Sequence, residues 1–199
     1  VGLKLNQKKC VFQMKEVRYI GHIISAQGIQ PDPEKVKDIK NMPRPTDKLG
    51  VQRILGTLNF LHKFIPSMSE LTTPLRSLLV KGTEFIWTFE HDAAMEKIQE
   101  ILSSSPVLGF YDSKKEVLLT CDASQSGLGA CIIQDGKPLA YASRSLTPTQ
   151  KNYAQIEKEL LSVVFGAERF YQYLYGKIDN NFSLLILKIT KKKIKLIEI

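Results

Sequence analysis

The chain has 199 residues, 43% of them hydrophobic and 24% charged, enough to bury one sizeable core or two small ones and too apolar for a disordered chain. No run of about 18 apolar residues occurs, which excludes a membrane-spanning helix, and the start VGLKLNQKK lacks the basic-then-apolar order of a secretory signal, so an intracellular setting, cytoplasmic or nuclear, is expected. Lysines and arginines number 28 against 20 acidic residues, a net charge of +8 that favours an anionic partner, nucleic acid first. The first residue is Val, so a piece of a longer chain is expected. Cys10, Cys121 and Cys131 show no CxxC spacing and leave an odd thiol under any pairing, which predicts reduced core residues rather than a disulfide framework or a zinc knuckle.

In chain order, KCVFQM and VRYIGHIIS are rich in β-branched and aromatic residues and read as strands, with a turn at Gln27-Gly28. Asp32 before Pro33 is a helix cap followed by a residue that needs no donor, so a short helix opens there and stops before Pro43. The segment Asn41 to Asp47, with Pro43 and Pro45, is a connector. From Asp47, the residues Val51, Ile54, Leu55, Leu58, Leu61, Phe64 and Ile65 recur at helical intervals and predict one amphipathic helix stopped by Pro66. Further helices are expected over Glu70 to Val80 and over Glu90 to Leu102, the latter with Ala94, Ile98, Ile101 and Leu102 on its apolar face. Between them, FIWTF reads as a short strand or turn.

The second half begins with EVLLTCDAS, an apolar strand ending in a carboxylate. GLGACIIQ, the turn Asp135-Gly136 and KPLAYASRSL complete a three-stranded meander, with an open edge expected on one of its later strands. Thr147-Pro148-Thr149-Gln150 matches a capping box, predicting a long helix with the apolar stripe Tyr153, Ile156, Leu160, Val164, Ala167, Tyr171 and Leu174, ended by Gly176. The tail IDNNFSLLILKITKKKIKLIEI alternates Ile, Leu and Lys and is expected to add one strand to this sheet. Repeats at a period of 20 to 50 residues are absent, which removes solenoids and propellers.

Three features carry possible chemistry. Asp122 sits at the carboxyl end of an apolar strand beside Ser124, Gly127 and Gly129, where ligands and metals commonly bind, or else it caps the following turn. Glu157 and Glu159 fall on the flanks of the long helix's stripe; Val163 and Phe170 favour Glu159 as the inward one, against a reading of both as a solvated face. Gly56, in a helix interior at a cost of about 1 kcal/mol relative to Ala, makes an i, i+4, i+8 row with Gln52 and Phe60. That row suits a nucleic-acid groove, although helix–helix packing at the small residue explains it better on pattern alone. The histidines His22, His62 and His91 have no ligand spacing, and no P-loop, GxSxG or dinucleotide motif is present.

Assembled, these residues resemble a family. The run from LKLNQKKCVFQMKEVRYIGHIIS through NMPRPTDKLGVQRILGTLNFLHKFIPSMSELTTPL resembles the downstream part of the reverse transcriptase of gypsy-type long-terminal-repeat retrotransposons. CDASQSGLGACIIQDGKPLAYASRSLTPTQKNYAQIEKELLSVVFGAERFYQYLYG resembles the ribonuclease H module that follows it, so the likeness covers about residues 3–176. The resemblance implies an α+β fold. Residues 1–30 would end the palm with a hairpin like the primer grip, 31–111 would form a helical thumb and connection, and 112–177 would form a truncated ribonuclease H-like sheet of three antiparallel strands plus a long helix. Residues 178–199 would be a divergent Lys/Ile-rich tail.

By the same resemblance Tyr19, Gly21 and His22 lie on the hairpin that grips the primer strand, while Gln52, Gly56 and Phe60 lie on the helix that tracks the minor groove. Asp122 and Glu159 match the first two carboxylates of a site for Mg²⁺ (or Mn²⁺), where the RNA strand of an RNA–DNA hybrid is cut. The implied partners are such a hybrid, or a template–primer duplex, and the rest of a Pol polyprotein. The palm's aspartate pair and the later ribonuclease H carboxylates do not occur here, so this chain alone is expected to be inactive as a polymerase, impaired as a nuclease, and a weak binder of metal. The rival expectation is a non-catalytic nucleic-acid-binding or scaffold protein derived from a retrotransposon.

Overall fold

The computed structural model describes residues 6, 10 and 12–176, and the tail expected to pair as a strand lies outside them. Two three-stranded antiparallel sheets are separated in sequence by helices. The first sheet holds β1 (Glu16–Tyr19), β2 (His22–Ser25) and β3 (Gly28–Pro31) in that order. VRYIGHIIS is therefore not one strand: it folds back at Ile20-Gly21, where both residues have positive φ (45° and 66°), the geometry of a tight hairpin turn matched to strand twist. The expected strand KCVFQM does not form at the described residues Cys10, Phe12, Gln13 and Met14.

Helix α1 (Pro33–Lys40) follows as expected, with the Asp32 carboxylate accepting from the Glu34 amide at 3.0 Å. Helix α2 (Lys48–Phe60) starts at Asp47, whose side chain accepts from the Gly50 amide at 2.7 Å. It ends five residues short of the predicted Ile65. Pro66 pushes Ile65 into extended backbone, and the intervening His62–Phe64 tightens into a 3₁₀ turn. The helix expected over Glu70 to Val80 is two pieces, α3 (Met68–Leu71) and α4 (Thr73–Ser77). Pro74 cannot donate back into the first piece, and the hydroxyls of Thr72 and Thr73 take up the carbonyls of Met68 and Ser69 at 2.8 and 2.9 Å. FIWTF forms no strand, and Phe85 and Trp87 pack on the helical core instead. Helix α5 (Phe89–Ser103) closes that core, which centres on Ile39, Val51, Leu58, Leu61, Phe64, Leu75 and Ile98.

The second sheet is the expected meander, β4 (Leu118–Ala123), β5 (Gly127–Gln134) and β6 (Lys137–Ser145), with β5 in the middle. Its edges are thus β4 and β6, and α3 packs beside β6, where the Ser69 amide donates to the Ser143 hydroxyl at 2.9 Å. The capping box at Thr147 and Gln150 is present but serves only the one-turn helix α6 (Pro148–Lys151). The long helix α7 (Gln155–Arg169) starts after a break with its own cap, and α8 (Tyr171–Leu174) follows it.

The face α7 buries is not the predicted one. Lys158, Ser162 and Gly166 lie against the sheet, whereas Ile156, Leu160 and Val164 are half exposed or more. The reason is approach distance. A Cβ on Gly166 would lie 2.7 Å from Cys121 Sγ and 3.2 Å from Ala130 Cβ, so only a row of small or slender side chains lets the helix settle on β4 and β5.

Candidate nucleic-acid interface and metal centre

The hairpin and helix α2 converge. Gly21 sits at the turn with φ +66°, and a Cβ there would meet the Phe60 ring at 2.8 Å. Beside it the His22 ring lies 5.0 Å from the Phe60 centroid and 5.5 Å from that of Phe64. His22 Nε2 is buried with no hydrogen-bond partner among the described residues. Burial, and then the nearby Lys63 charge, pull the His22 pKa below its usual 6.5. Burial also lowers the Lys63 pKa, and its ammonium stands 5.2 Å above the Phe64 ring. Tyr19, at the end of β1, is largely exposed and pairs with His22 across the turn.

From Phe60, itself 43% exposed, the row runs back along α2 through Gly56 to Gln52, both exposed. Nothing lies within 4 Å of a Cβ on Gly56. Helix–helix packing, the commoner use of such a glycine, therefore does not occur at this position among the described residues. What remains is an open furrow with an amide at one end and an aromatic edge at the other, about 12 Å long at 1.5 Å per residue. Gly21, His22 and Phe60 are brought into contact, Gln52 and Gly56 extend the same face, and Tyr19 lies across the hairpin turn from it. Lys63 carries no signal in the sequence, and Phe64 reads there only as part of the helical apolar stripe; both follow the end of α2, where the 3₁₀ turn redirects them toward the hairpin.

The second candidate lies at the end of β4. Leu119, Cys121 and Ala123 are buried, and Asp122, between the last two, is exposed on the opposite face, as strand alternation requires. The turn that Asp122 could have capped is capped by Ser124, whose Oγ accepts from the amides of Ser126 and Gly127 at 3.2 and 3.0 Å. The Asp122 carboxylate has no hydrogen-bond or ion-pair partner among the described residues. Glu157 and Glu159 separate as cleanly: the Glu157 carboxylate accepts from the Ala154 amide at 2.7 Å as a cap, while that of Glu159, half-buried, has no such partner among the described residues. Gln155, one turn before Glu159 on the same side of α7, donates to the Ala123 carbonyl at 3.0 Å, so this side of the helix starts beside the strand end that carries Asp122.

Asp122 lines a cleft of about 10 Å³, the room of one water molecule, with Ser67, Ser69, Glu70, Ser124, Gly127 and Gly129. All its side-chain donors are oxygens, the set that a hard cation prefers, and the two glycines leave the space that side chains would fill. Glu159 does not line it. No group of three or more Asp, Glu, His or Cys able to hold a metal exists among the described residues. The side chains thus fit one hard cation on Asp122 but do not make a two-metal site. No local sequence pattern marks Glu70 or Ser69, which reach Asp122 only through the docking of α3 on the second sheet.

The fold is that of RNase H-like proteins of the reverse-transcriptase type, and residues 87–184 match the RNase H-like domain found in reverse transcriptase. The chain is 39% identical over 177 residues to the retrovirus-related Pol polyprotein from transposon 297 of Drosophila melanogaster, covering 88% of this chain and 17% of that one. It is 36% identical over 183 residues to the transposon Tf2-3 polyprotein of Schizosaccharomyces pombe, covering 89% of this chain and 14% of that one. It therefore belongs with the Pol polyproteins of retrotransposons and spans less than a fifth of the length of these relatives. The foamy viral protease-reverse transcriptase is similar in structure. Its complex with an RNA/DNA hybrid matches with TM-score 0.76 and 29% identity over 85% of this chain and 24% of that one. Its complex with dsDNA matches with the same TM-score and identity over 85% and 36%. No helix among the described residues is long and apolar enough to cross a membrane.

Proposed function

We propose that this Pol segment holds an RNA–DNA hybrid or a template–primer duplex along α2 and against the Ile20-Gly21 hairpin turn. The observation that carries this reading is the open row Gln52, Gly56 and Phe60, clear above the glycine and ending on a ring wedged beneath Gly21. A sugar–phosphate strand fits where a Cβ would intrude, Gln52 supplies a donor and acceptor for a groove edge, and Phe60 offers an apolar edge to a sugar or base. The structural likeness to a reverse transcriptase in complex with an RNA/DNA hybrid supports the same assignment.

In this reading Asp122 is the anchoring metal carboxylate and Glu159 its partner from α7. Asp122, with Glu159, would hold a Mg²⁺ or Mn²⁺, which when bound would supply Lewis-acid charge beside a phosphate. The protein's own share is to present Asp122 unencumbered, which Ser124 achieves by capping the turn in its place. Because two carboxylates fall short of a two-metal site, hybrid binding is expected to exceed hybrid cleavage by the segment itself. A non-catalytic scaffold is the second reading, favoured by the exposed apolar row Ile156, Leu160 and Val164 on α7, which suits a protein partner.

The test is equilibrium binding of a labelled RNA–DNA hybrid at several salt concentrations, with cleavage followed in the same samples and Asp122→Asn as the control. Phe60→Ala is expected to weaken binding about tenfold, the scale of one lost aromatic contact to a base, with affinity falling as salt rises. Hybrid affinity absent from the wild type, or unchanged in Phe60→Ala, would favour the scaffold.

A further inference from the structure

We infer that the exposed apolar stripe of α7 is a docking face for the chain's own Lys-rich segment 177–199, which lies outside the described residues. The inference goes beyond the nucleic-acid reading and does not depend on it. On one side, α7 packs Lys158, Ser162 and Gly166 against β4 and β5. On the other side Ile156, Leu160 and Val164 recur every four residues, each half exposed or more, and Tyr153 extends the row at its start. Single apolar side chains on a surface need no explanation, but a continuous row along a whole helix marks a contact.

The charge around the stripe points to its occupant. At about 100° per residue, Glu157 and Glu168 flank it on one side and Glu159 on the other, and none of the three forms an ion pair among the described residues. The basic residues of α7 face elsewhere. Lys158 is buried against the sheet, and the Arg169 guanidinium donates to His62 Nε2 at 3.2 Å. The face is therefore apolar with an acidic border, in a chain whose net charge is +8. Residues 177–199 have the converse composition: Ile and Leu interleaved with Lys188, Lys191, Lys192, Lys193 and Lys195, against only Asp179 and Glu198 as acids. The apolar side chains of that segment match the stripe, and long lysine stems can lie along it while their ammonium groups reach the glutamates.

Position and reach agree with this. The segment departs after Gly176, whose φ of 74° is the left-handed geometry with which chains turn away from a helix end. Running back from there it would follow α7, about 22 Å long at about 1.5 Å per residue, a length that it exceeds even as a helix. A second copy of the chain is a poorer occupant. In a parallel pair of α7 helices the Glu157 and Glu168 side would face the partner's Glu159 side, and in an antiparallel pair it would face its own copy, so either orientation sets acid against acid. A strand added to the open edge of β4 would pair the segment's backbone but leave the stripe bare.

The test is a nitroxide spin label at Ile194→Cys in the full chain carrying Cys10→Ser. Cys121 and Cys131 resist labelling, because burial pushes both thiols up to about 12. Broadening of backbone amide signals is expected to centre on residues 153–164. Leu160→Lys, at an exposed position, removes an apolar contact and adds a like charge, and is expected to abolish that broadening while the signals of β4 to β6 stay in place. Glu168→Lys reverses one border charge and is expected to reduce it. Broadening centred on Leu118–Ala123 would overturn the inference in favour of an edge strand. Broadening that passes from labelled to unlabelled copies mixed in one sample would overturn it in favour of a second copy. Absence of broadening, or broadening unchanged in both variants, would overturn it outright.

Discussion

Helix α2 meets the first sheet through rings at its end, whereas α7 meets the second along its length by the absence of a side chain. At the first contact, Phe60 and Phe64 close on His22 under a hairpin turn, and Phe60 stays 43% exposed. At the second, Gly166 lets the helix approach until Cys121, Ala130 and Leu119 would all lie within 3.3 Å of an added Cβ. A contact made of partly exposed rings leaves a surface that another molecule can share. A contact made by closing all space leaves none, and it fixes the strand end that carries Asp122. The two candidate sites follow from that difference: an open furrow on α2, and a rigidly held carboxylate on β4.

The largest expected effect comes from filling the closed contact. Gly166→Val places three heavy atoms where one already crowds Cys121 Sγ, Leu119 Cδ1 and the Ala130 Cβ, which is fixed to the backbone of β5. A loss of about 3 kcal/mol is expected from such overpacking, read as a lower urea midpoint with an unchanged slope. Stability equal to wild type would mean that α7 stands off the sheet. Hybrid affinity through α2 should fall only in proportion to the unfolded fraction.

The glycines of the first contact sharpen the comparison in both directions. Gly21→Ala meets the Phe60 ring at 2.8 Å and forces a side chain into a left-handed φ, for an expected loss of about 1–3 kcal/mol. Gly56→Ala meets nothing, and in a helix interior it is expected to raise stability by about 0.5–1 kcal/mol. The same methyl group stands in the proposed furrow, so hybrid binding should weaken while the midpoint rises. Gains in both stability and binding would remove Gly56 from the interface.

Much of this was legible locally. Asp32 before Pro33, Asp47 before α2, the capping box at Thr147 and the meander of β4 to β6 are all short-range chemistry, and each forms where its residues stand. The helix ends and faces were harder. The periodicity that reads Val51 to Ile65 as one helix is interrupted by Pro66 acting backwards on Ile65, and Thr72 to Pro74 divides the next one in the same way.

The face of α7 was read in reverse, because apolar periodicity marks Ile156, Leu160 and Val164, while close approach selects Gly166, Ser162 and the slender stem of Lys158. An apolar stripe shows what a helix could bury, and packing distance decides what it does bury. Asp122 was visible as a strand-end carboxylate, but its release from capping depended on Ser124 taking both turn amides. Glu70 had no local signal at all, since only the docking of α3 beside β6 brings it to Asp122.

The smallest expected effect is one of pH, and it separates the two contacts by their chemistry. His22 packs between Phe60 and Phe64 with Lys63 nearby, and burial first, then the lysine charge, lower its pKa below 6.5; the backbone of Ile20 and Tyr19 acts weakly in the opposite sense. The folded state therefore disfavours the proton that the unfolded chain accepts. Stability is complete above the unfolded value of 6.5 and is lost as pH falls from there to the folded value, below which the loss is constant. The α7 contact has no such response near neutrality, because burial pushes the Cys121 thiol that faces Gly166 up to about 12. Urea midpoints at pH 7.5 and pH 5 should differ more for wild type than for His22→Phe, which keeps a ring between Phe60 and Phe64 and removes the titration. An equal difference in both proteins would assign the acid sensitivity elsewhere and leave His22 a packing residue only.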